Sequence, residues 1–404
     1  MKKVFLRGPI LSQSGYGHHA RTVLRALRTR QDLFDIYLQP IAWGHTSWEW
    51  EDSEEREYID KILKKTIEYT SQGGGFDISL QVTIPSEWEK IAPINIGITA
   101  GIETTKISPQ WVEKSYLMDK ILTISSHSKW SFENTIVEAT NQQTGEKFNV
   151  SAKGPVEYIS YPVREFEAED LNLNLDSEFN FLTVAQLSPH ENVGLVIKAN
   201  TAKNSLIGRK HTRAIFENSL QKHGERKCKI YLLHGYLNNE EMAGLYKHPK
   251  IKALISTTHG EGFGLPMFEA AYYGLPIIAT DWSGHLDFLY KPVKQKNGKK
   301  KKKHMFSKIS YTLQHVQKQA VWDGVIEKDS MWAFPEEGSI KMNLEELYKD
   351  YGRFKKRSSE LQKCVCAHFS EEETYAEYVS HLEPFVKGVD NEVDSLFDEL
   401  MSEQ

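Results

Sequence analysis

The segment from Thr258 to Thr280 holds the residue types that most directly indicate chemistry. Two glutamates, Glu261 and Glu269, stand eight positions apart, and Pro266 lies between them. Proline suits the first turn of a helix, where its missing N–H costs no hydrogen bond. Glycine allows the backbone to turn freely and to approach a ligand closely. The segment has three glycines around the first glutamate, at Gly260, Gly262 and Gly264.

This pattern predicts a helix whose N-terminus points at the glycine loop. Free amide groups and the helix dipole make such an end suited to an anion, and a diphosphate fits best. Glu261 in the loop can face the sugar end of a ligand. Glu269 lies about one turn into the helix, where a carboxylate can accept hydrogen bonds from a diol such as a ribose.

The elements that must position these residues alternate between short apolar strands and amphipathic stretches, which is typical of α/β proteins with parallel sheets. The alternation occurs twice, on either side of a polar connector at residues 166–178. We therefore predict two doubly wound, Rossmann-like domains facing a central cleft, where ligands bind at the carboxyl ends of the strands. The predicted strands are Lys3–Leu6, Ile36–Gln39, Ile78–Val82, Ile94–Ile98 and Lys120–Ser125, then Phe179–Ala185, Lys229–Leu233, Ile251–Ser256 and Leu275–Thr280.

Three further stretches carry local predictions. Gly8–Gly17 is predicted as a glycine-bearing loop that precedes a helix over His18–Leu27. A helix is predicted to start within Glu191–Asn200. Residues 291–304 end in a lysine run, Lys299–Lys303, and are predicted as a flexible surface loop because like charges repel and stay solvated. A contact between this run and an anionic acceptor is the alternative.

Composition narrows the class of protein. The 404 residues carry a formal net charge of −5, which argues against a molecule that binds polyanions over its whole surface. The three cysteines argue against a disulfide framework and for a reducing compartment, so we expect a cytoplasmic protein. We expect no signal peptide, no membrane span and no metal site, since Cys364-x-Cys366-x-His368 fits no common zinc spacing.

The string Glu261-Gly-Phe-Gly-Leu-Pro-Met-Phe-Glu269 resembles the E-x7-E motif of retaining glycosyltransferases of the GT-B fold, family 4 of the sugar transferases. The following Glu-Ala-Ala-x-x-Gly-Leu-Pro-Ile-Ile-Ala-Thr is similar as well. Resemblance extends over nearly the whole chain, but it is sharp only from about His234 to Asp287. The chain also resembles transferases that bacteriophages encode, which implies the host cytoplasm as its location.

The resemblance implies roles for individual residues. Glu269 would bind the ribose, and Glu261 would lie beside the donor sugar, with Glu103 from a cleft-side loop of the first domain as a second catalytic candidate. The other implied donor-binding residues are Gly15, Tyr16, Gly17, Gln186, His234, Gly262, Phe263, Gly264 and Leu265. The donor is a nucleotide-diphosphate sugar acting as a substrate, and the family uses neither cofactor nor metal. Its members retain the anomeric configuration, and the leaving phosphate is often taken as the base.

Two positions of the sequence depart from the family pattern. The arginine and lysine that usually clamp the diphosphate are replaced by Gln186 and Glu191. Charge-assisted hydrogen bonds are roughly twice as strong as neutral ones, so other cations would have to substitute in an active enzyme. The candidates are His190, Arg209, Lys210 and Arg213.

These observations predict a nucleotide-sugar-dependent glycosyltransferase with domains at residues 1–165 and 166–382 and a tail, 383–404, that returns to the first domain. The acceptor is open: a glycan, or modified DNA bound through Lys299–Lys303. A degenerate protein that binds a nucleotide sugar without efficient transfer is the main alternative. A sugar epimerase on the same fold is the other alternative, and the Glu261–Glu269 string argues against it.

Overall fold

A computed structural model describes residues 1–44, 46–50, 52–183, 194–199, 205–221, 228–294 and 300–402. These residues form two α/β domains, each built on a six-stranded sheet whose neighbouring strands all run parallel. The strand runs are buried because helices cover the sheets, as is usual for parallel sheets. Both doubly wound domains predicted from the sequence are therefore present.

The first sheet has the strand order β2-β1-β3-β4-β5-β8. A separate antiparallel hairpin, β6–β7, stands beside it. The elements of this domain are β1 (Lys2–Gly8), α1 (Gly15–Arg28), β2 (Phe34–Pro40), α2 (Glu54–Ser71), β3 (Ile78–Val82), β4 (Ile94–Ile98), α3 (Pro109–Ser115), β5 (Lys120–Thr123), α4 (Ser126–Asn134), β6 (Ile136–Thr140), β7 (Lys147–Ser151) and β8 (Val156–Tyr158).

The second sheet has the order β11-β10-β9-β12-β13-β16, with two antiparallel hairpins, β14–β15 and β17–β18, outside it. Its elements are β9 (Asn180–Thr183), β10 (Gly194–Ala199), α5 (Leu206–Gln221), β11 (Lys229–His234), α6 (Asn239–Lys247), β12 (Ile251–Ser256), α7 (Leu265–Tyr272), β13 (Ile277–Thr280), α8 (Leu286–Leu289), β14 (Tyr290–Lys294), β15 (Lys300–His304), β16 (Ser307–Ile309), β17 (Tyr311–His315), β18 (Met331–Pro335), α9 (Glu337–Lys349) and α10 (Tyr351–His368). The last helix of the chain is α11 (Glu371–Ser402).

The predicted helix within Glu191–Asn200 is wrong. Residues 194–199 form the strand β10, which pairs with β9 on one side and β11 on the other. Val196 and Ile197 are buried at its centre, and such β-branched side chains pack well on a pleated surface. Pairing on both edges therefore decided the conformation of this short apolar run.

The glycine-bearing loop before the first helix is shorter than predicted. Helix α1 already begins at Gly15, and Ser14 caps it by accepting a hydrogen bond from the Gly17 amide. A Cβ atom at Gly17 would lie 1.9 Å from the Ser12 carbonyl oxygen. Gly17 is thus required for the tight entry of the chain into α1, a local role that the spacing of the glycines did not indicate.

The lysine-rich insert is a hairpin where a loop was predicted. Strands β14 and β15 pair antiparallel, with Lys291 opposite Lys303 and Pro292 opposite Lys302. Backbone groups make this ladder whatever the side-chain charge, and successive side chains along a strand point to opposite faces, which separates neighbouring lysines. The side chains of Lys301, Lys302 and Lys303 are exposed, as expected for a solvated charge run.

The chain returns to the first domain earlier than the predicted boundary at residue 383, which falls inside α11. Tyr378, Val379 and Leu382 on this helix are buried in the core of the first domain, against α1. His19 of α1 also lies 3.0 Å from Tyr378 Oη through its Nε2 atom. Among the described helices, none is long and apolar enough to cross a membrane.

Candidate active site

The glycine loop and helix α7 take the predicted arrangement. Strand β12 ends at Ser256, and α7 begins at Leu265 with Pro266 in its first turn. Gly264 caps the helix in the left-handed conformation, with φ of +90°, which a residue with a Cβ atom rarely adopts. The free amides at the start of α7 therefore point out of a fixed turn, as an anion site requires.

Glu269 lies one turn into α7 and is held by the second domain itself. Tyr246 of α6 donates a hydrogen bond of 2.8 Å from its hydroxyl group to Glu269 Oε2. Burial raises the pKa of the Glu269 carboxyl to about 7, and the hydrogen bond from Tyr246 opposes this shift. The side chain is only partly buried, so its remaining lone pairs can accept hydrogen bonds from a ligand.

Glu261 and Glu103 come together from different domains. Burial raises the pKa of Glu261 to about 7, and the nearby Glu103 carboxylate adds to the shift. The pKa of Glu103 is also raised by burial. The Glu261 amide donates a 2.7 Å hydrogen bond to Ser283 Oγ, which fixes the backbone of the loop. Like charges that share a site favour protonation of one member, so this pair can hold a proton near neutral pH.

Gly260 and Gly262 face the first domain. A Cβ atom at Gly262 would lie 2.4 Å from the carbonyl oxygen of Ala100, and one at Gly260 would lie 2.8 Å from the carbonyl oxygen of Glu103. These glycines therefore allow the loop after β4 to approach the loop after β12. The sequence motif predicted close approach to a ligand, whereas the partner shown here is the backbone of the opposite domain.

The starts of α1 and α7 share one aromatic neighbour. The Tyr161 ring lies 5.2 Å from the His18 ring and 5.1 Å from the Phe263 ring, measured between centroids. Tyr16, the second residue of α1, contacts Thr99 Oγ1 through its hydroxyl group at 2.8 Å, and burial raises its pKa. The predicted donor-binding residues Gly15, Tyr16 and Gly17 thus lie in the first turn of a helix that is linked to the loop before α7 through the Tyr161 ring.

A basic group in the second domain was missed by the sequence analysis. Lys198, the residue before the last in β10, is buried, and its ammonium group donates a 2.5 Å hydrogen bond to the Gly235 carbonyl oxygen. The pKa of His234, at the end of β11, is lowered by burial and then by the charges of Lys198 and Arg209. The sequence prediction had a helix start near this position, and a helix would not carry this side chain to the end of a strand.

The structure describes only some of the other residues that were predicted to contact the donor phosphates. Arg209 and Lys210 are exposed on α5. Gln186, His190 and Glu191 lie outside the described residues. Two histidines near the site serve packing: His259 stacks on Trp332 with ring centroids 4.7 Å apart, and buried His285 contacts the Thr280 carbonyl oxygen at 2.7 Å through Nε2.

Comparison with known proteins bears on this arrangement. Residues 163–303 match the family model of Glycosyl transferases group 1. Among curated protein sequences, none is significantly similar to the chain. A similar solved structure is Anabaena HepE in complex with UDP-glucose, at 12% identity and a TM-score of 0.56 over 95% of this chain and 100% of that chain. Sucrose-phosphate synthase from Thermosynechococcus elongatus is similar over 100% of both chains, at 12% identity and a TM-score of 0.56.

The chain has the GT-B fold. The catalytic domain of starch synthase IV from Arabidopsis thaliana, bound to ADP and acarbose, shares it at 11% identity and a TM-score of 0.53, over 96% of this chain and 99% of that chain. The match to the group 1 family spans β9 to β15 and includes the glycine loop and α7. Family match and GT-B fold together support a glycosyltransferase.

Proposed function

We propose that this chain transfers a sugar from a nucleotide-diphosphate sugar to a hydroxyl group of an acceptor, with retention of the anomeric configuration and without a metal ion. The observation that carries the proposal is the pairing of the α7 N-terminus with two carboxyl groups, Glu261 before it and Glu269 within it. Two of the similar structures contain UDP-glucose or ADP, which supports a nucleotide donor.

The donor is proposed to bind along α7. Glu269, oriented by Tyr246, accepts hydrogen bonds from the ribose hydroxyls. The amides of Phe263, Gly264 and Leu265 face the diphosphate and the sugar hydroxyls, because they are the unpaired donors at the start of the helix. His234 and the loop after it contact the base. This assignment places the sugar beside Glu261.

Basic side chains of the second domain are proposed to balance the negative charge of the diphosphate. Arg209 and Lys210 keep this role as candidates, and the buried Lys198 adds a third positive charge in the same region, close to His234. Charge-assisted hydrogen bonds from such groups, together with the helix end, stabilise the negative charge that develops on the leaving group. This arrangement supports the proposal that no divalent metal is needed.

In the proposed transfer, the bond between the sugar C1 atom and the diphosphate oxygen breaks, and its electron pair stays on the diphosphate. A bond forms between C1 and the acceptor hydroxyl oxygen, while the hydroxyl proton passes to the leaving diphosphate. Since the hydroxyl arrives on the face that the diphosphate leaves, the anomeric configuration is retained. Glu261 and Glu103 position the sugar, and a carboxyl with a pKa of about 7 can donate or accept the hydrogen bonds involved.

A panel of UDP-, ADP-, GDP- and TDP-sugars tests the proposal. Free nucleotide released over hours is measured with and without an acceptor mixture, and the configuration of any product is read by NMR. We expect one donor to be cleaved, and cleavage to be lost in Glu269→Gln at donor concentrations near the wild-type KM. Absence of both binding and cleavage for every donor would overturn the proposal.

A binding protein without efficient transfer is the second candidate. The observation that favours it is Gln186 and Glu191 in the positions where the family carries its arginine and lysine clamp. Calorimetry on the same panel separates the two candidates. A donor that binds but yields no nucleotide over hours supports the binding protein, and release of nucleotide rules it out.

A further inference from the structure

Beside Glu261 and Glu103 lies a cavity of about 580 Å³, which we name the side cavity. Its lining includes Trp130, Asp281, Trp282, Asp287, Lys302 and Tyr311. We propose that the side cavity binds an uncharged sugar ring of the acceptor. The inference rests on the proposed function, and it names the class of acceptor that the sequence left open.

The side cavity adjoins the proposed position of the donor sugar. Trp282 donates a hydrogen bond of 3.3 Å from its indole nitrogen to the carbonyl oxygen of Glu103. Ser283, also in its wall, accepts the 2.7 Å hydrogen bond from the Glu261 amide. The wall of the cavity is therefore continuous with the two carboxylate residues. An acceptor held there would present a hydroxyl group toward the sugar that Glu261 and Glu103 position.

Aromatic rings dominate the walls. Trp130 is 45% exposed, although it lies in a concave site, and it leaves an indole ring available for contact. Trp282 and Tyr311 lie against each other with ring centroids 5.8 Å apart, and His127 bridges the two tryptophans at 6.1 Å and 5.0 Å. Flat aromatic faces pack against the apolar C–H faces of pyranose rings, and ligand sites commonly combine such faces with few polar groups.

The polar groups of the side cavity suit hydroxyls. Asp287 accepts two hydrogen bonds from Ser126, one of 2.7 Å from the amide group and one of 2.5 Å from the hydroxyl group. Asp281 accepts a 2.7 Å hydrogen bond from Tyr290 Oη and pairs with Lys308. An ionised carboxylate has about four acceptor positions, so each aspartate retains capacity for a sugar hydroxyl.

The charge in the wall argues against a phosphate-bearing acceptor. Asp281 and Asp287 contribute two negative charges, and Lys302 is the one lysine among the lining residues. Burial raises the pKa of Asp287, and the hydrogen bonds from Ser126 and the charge of Lys302 oppose that shift. Lys308 pairs with Asp281 from outside the lining, so the two carboxylates of the wall are balanced by two lysines. A phosphate group would meet no excess of positive charge there, whereas a neutral sugar meets hydrogen-bond acceptors.

Both domains build the side cavity. Ser126, His127 and Trp130 come from α4 of the first domain, and the other walls come from the loop after β13, α8, the lysine hairpin and β17. The hydrogen bonds between Ser126 and Asp287 join the two domains at the side cavity. The side cavity therefore depends on contact between the two domains.

Saturation-transfer NMR with the full-length chain and saturating UDP tests the inference. The neutral probes are the methyl glycosides of glucose, galactose and mannose, together with maltose and lactose. The anionic probes are glucose 6-phosphate and a single-stranded DNA oligonucleotide. We expect at least one neutral probe to bind, with affinity reduced tenfold or more in Trp130→Ala. Trp322→Ala is the matched control, since Trp322 is 61% exposed and does not line the side cavity.

Donor hydrolysis on the same proteins separates the two proposals. Trp322→Ala should cleave the donor in water at the wild-type rate, because Trp322 does not line the side cavity, and the rate of Trp130→Ala is measured beside it. Wild-type protein that cleaves a donor but binds no neutral probe, or binds it equally well in Trp130→Ala, overturns the acceptor inference alone. Binding of neutral probes that depends on Trp130, without cleavage of any donor, overturns the proposed function alone. Preference for the anionic probes overturns the inference as well.

Discussion

Tyr246 and Glu269 form a hydrogen bond of 2.8 Å between α6 and α7, and Tyr246 is buried inside the second domain. This contact orients one carboxylate oxygen and leaves the other for a ligand. Glu269 is thus held in place before any nucleotide binds. The relationship makes the role of Glu269 testable apart from the rest of the E-x7-E motif.

Glu269→Gln should weaken binding of the free nucleotide diphosphate by about 1.5–3 kcal/mol, because a charge-assisted hydrogen bond to the ribose is lost. Calorimetry with UDP, ADP and GDP measures the effect. Tyr246→Phe serves as the companion variant: it keeps the carboxylate and should lose less affinity. Equal affinity of a correctly folded Glu269→Gln variant and the wild type would contradict the proposed contact between Glu269 and the ribose.

The Glu269→Gln substitution should stabilise the ligand-free protein at pH 8, although it weakens nucleotide binding. Burial raises the pKa of Glu269 to about 7, whereas a glutamate in an unfolded chain titrates near ~4.3. Between these values the folded protein holds a proton that the unfolded chain releases, so stability falls as pH rises from about 4 to about 7. Glutamine does not titrate, so the Glu269→Gln variant does not lose this stability as the pH rises. The Tm of ligand-free Glu269→Gln should exceed the wild-type Tm at pH 8 and approach it at pH 4.

Scanning fluorimetry across that pH range checks the stability prediction. Glu68→Gln, on the exposed face of α2, is the control and should follow the wild-type curve. A difference between Glu269→Gln and wild type that stays constant from pH 4 to pH 8 would contradict the pKa argument, because it would show an effect unrelated to protonation.

Gly262→Ala should disturb the contact between the two domains at the loops after β4 and β12. The added Cβ atom would lie 2.4 Å from the Ala100 carbonyl oxygen, so the backbone must shift. Overpacking of this kind costs about 1–3 kcal/mol. We expect a lower Tm, a larger radius of gyration by small-angle scattering and donor cleavage reduced tenfold or more.

Gly338→Ala is the matched control for this variant, since a Cβ atom at Gly338 meets no atom within 4 Å. It should keep wild-type values in all three measurements. Normal donor cleavage by Gly262→Ala would mean that the approach of these two loops is not needed for activity.

A chelator should leave donor cleavage largely intact. The charge of the leaving diphosphate is expected to be balanced by the start of α7 and by basic side chains, not by a divalent ion. Nucleotide release is followed after dialysis against EDTA, with added Mg²⁺ or Mn²⁺ as the comparison. A complete loss that either metal restores would refute metal-independent transfer.

Gln186→Arg combined with Glu191→Lys should tighten donor binding. The change removes a repulsive carboxylate and supplies two donors at the positions where the family places its clamp. One charged hydrogen bond contributes about 1.5–3 kcal/mol, so tenfold or more is expected in calorimetry. Affinity that stays flat would show that the diphosphate does not lie between these positions. Each single variant is the control for the other.

Elements whose signals are local could be predicted from the sequence. The strands Ile78–Val82, Ile94–Ile98 and Ile251–Ser256 were predicted to the residue because compact apolar runs form buried parallel strands. The start of α7 was predicted from Pro266 and the glycines before it, since both residue types constrain the backbone whatever surrounds them. The two-domain GT-B fold followed from the repeated alternation and the resemblance of one motif.

Features that depend on partners distant in the chain could not be predicted in this way. Residues 194–199 became a strand because two neighbouring strands pair with them, and Lys198 was thereby carried to the end of the sheet. Gly262 proved to face Ala100, and the side cavity joins Trp130 to Trp282 across the domain interface. No local pattern encodes such contacts, because they form only when separate segments pack together and their backbone and side-chain groups must share one interface.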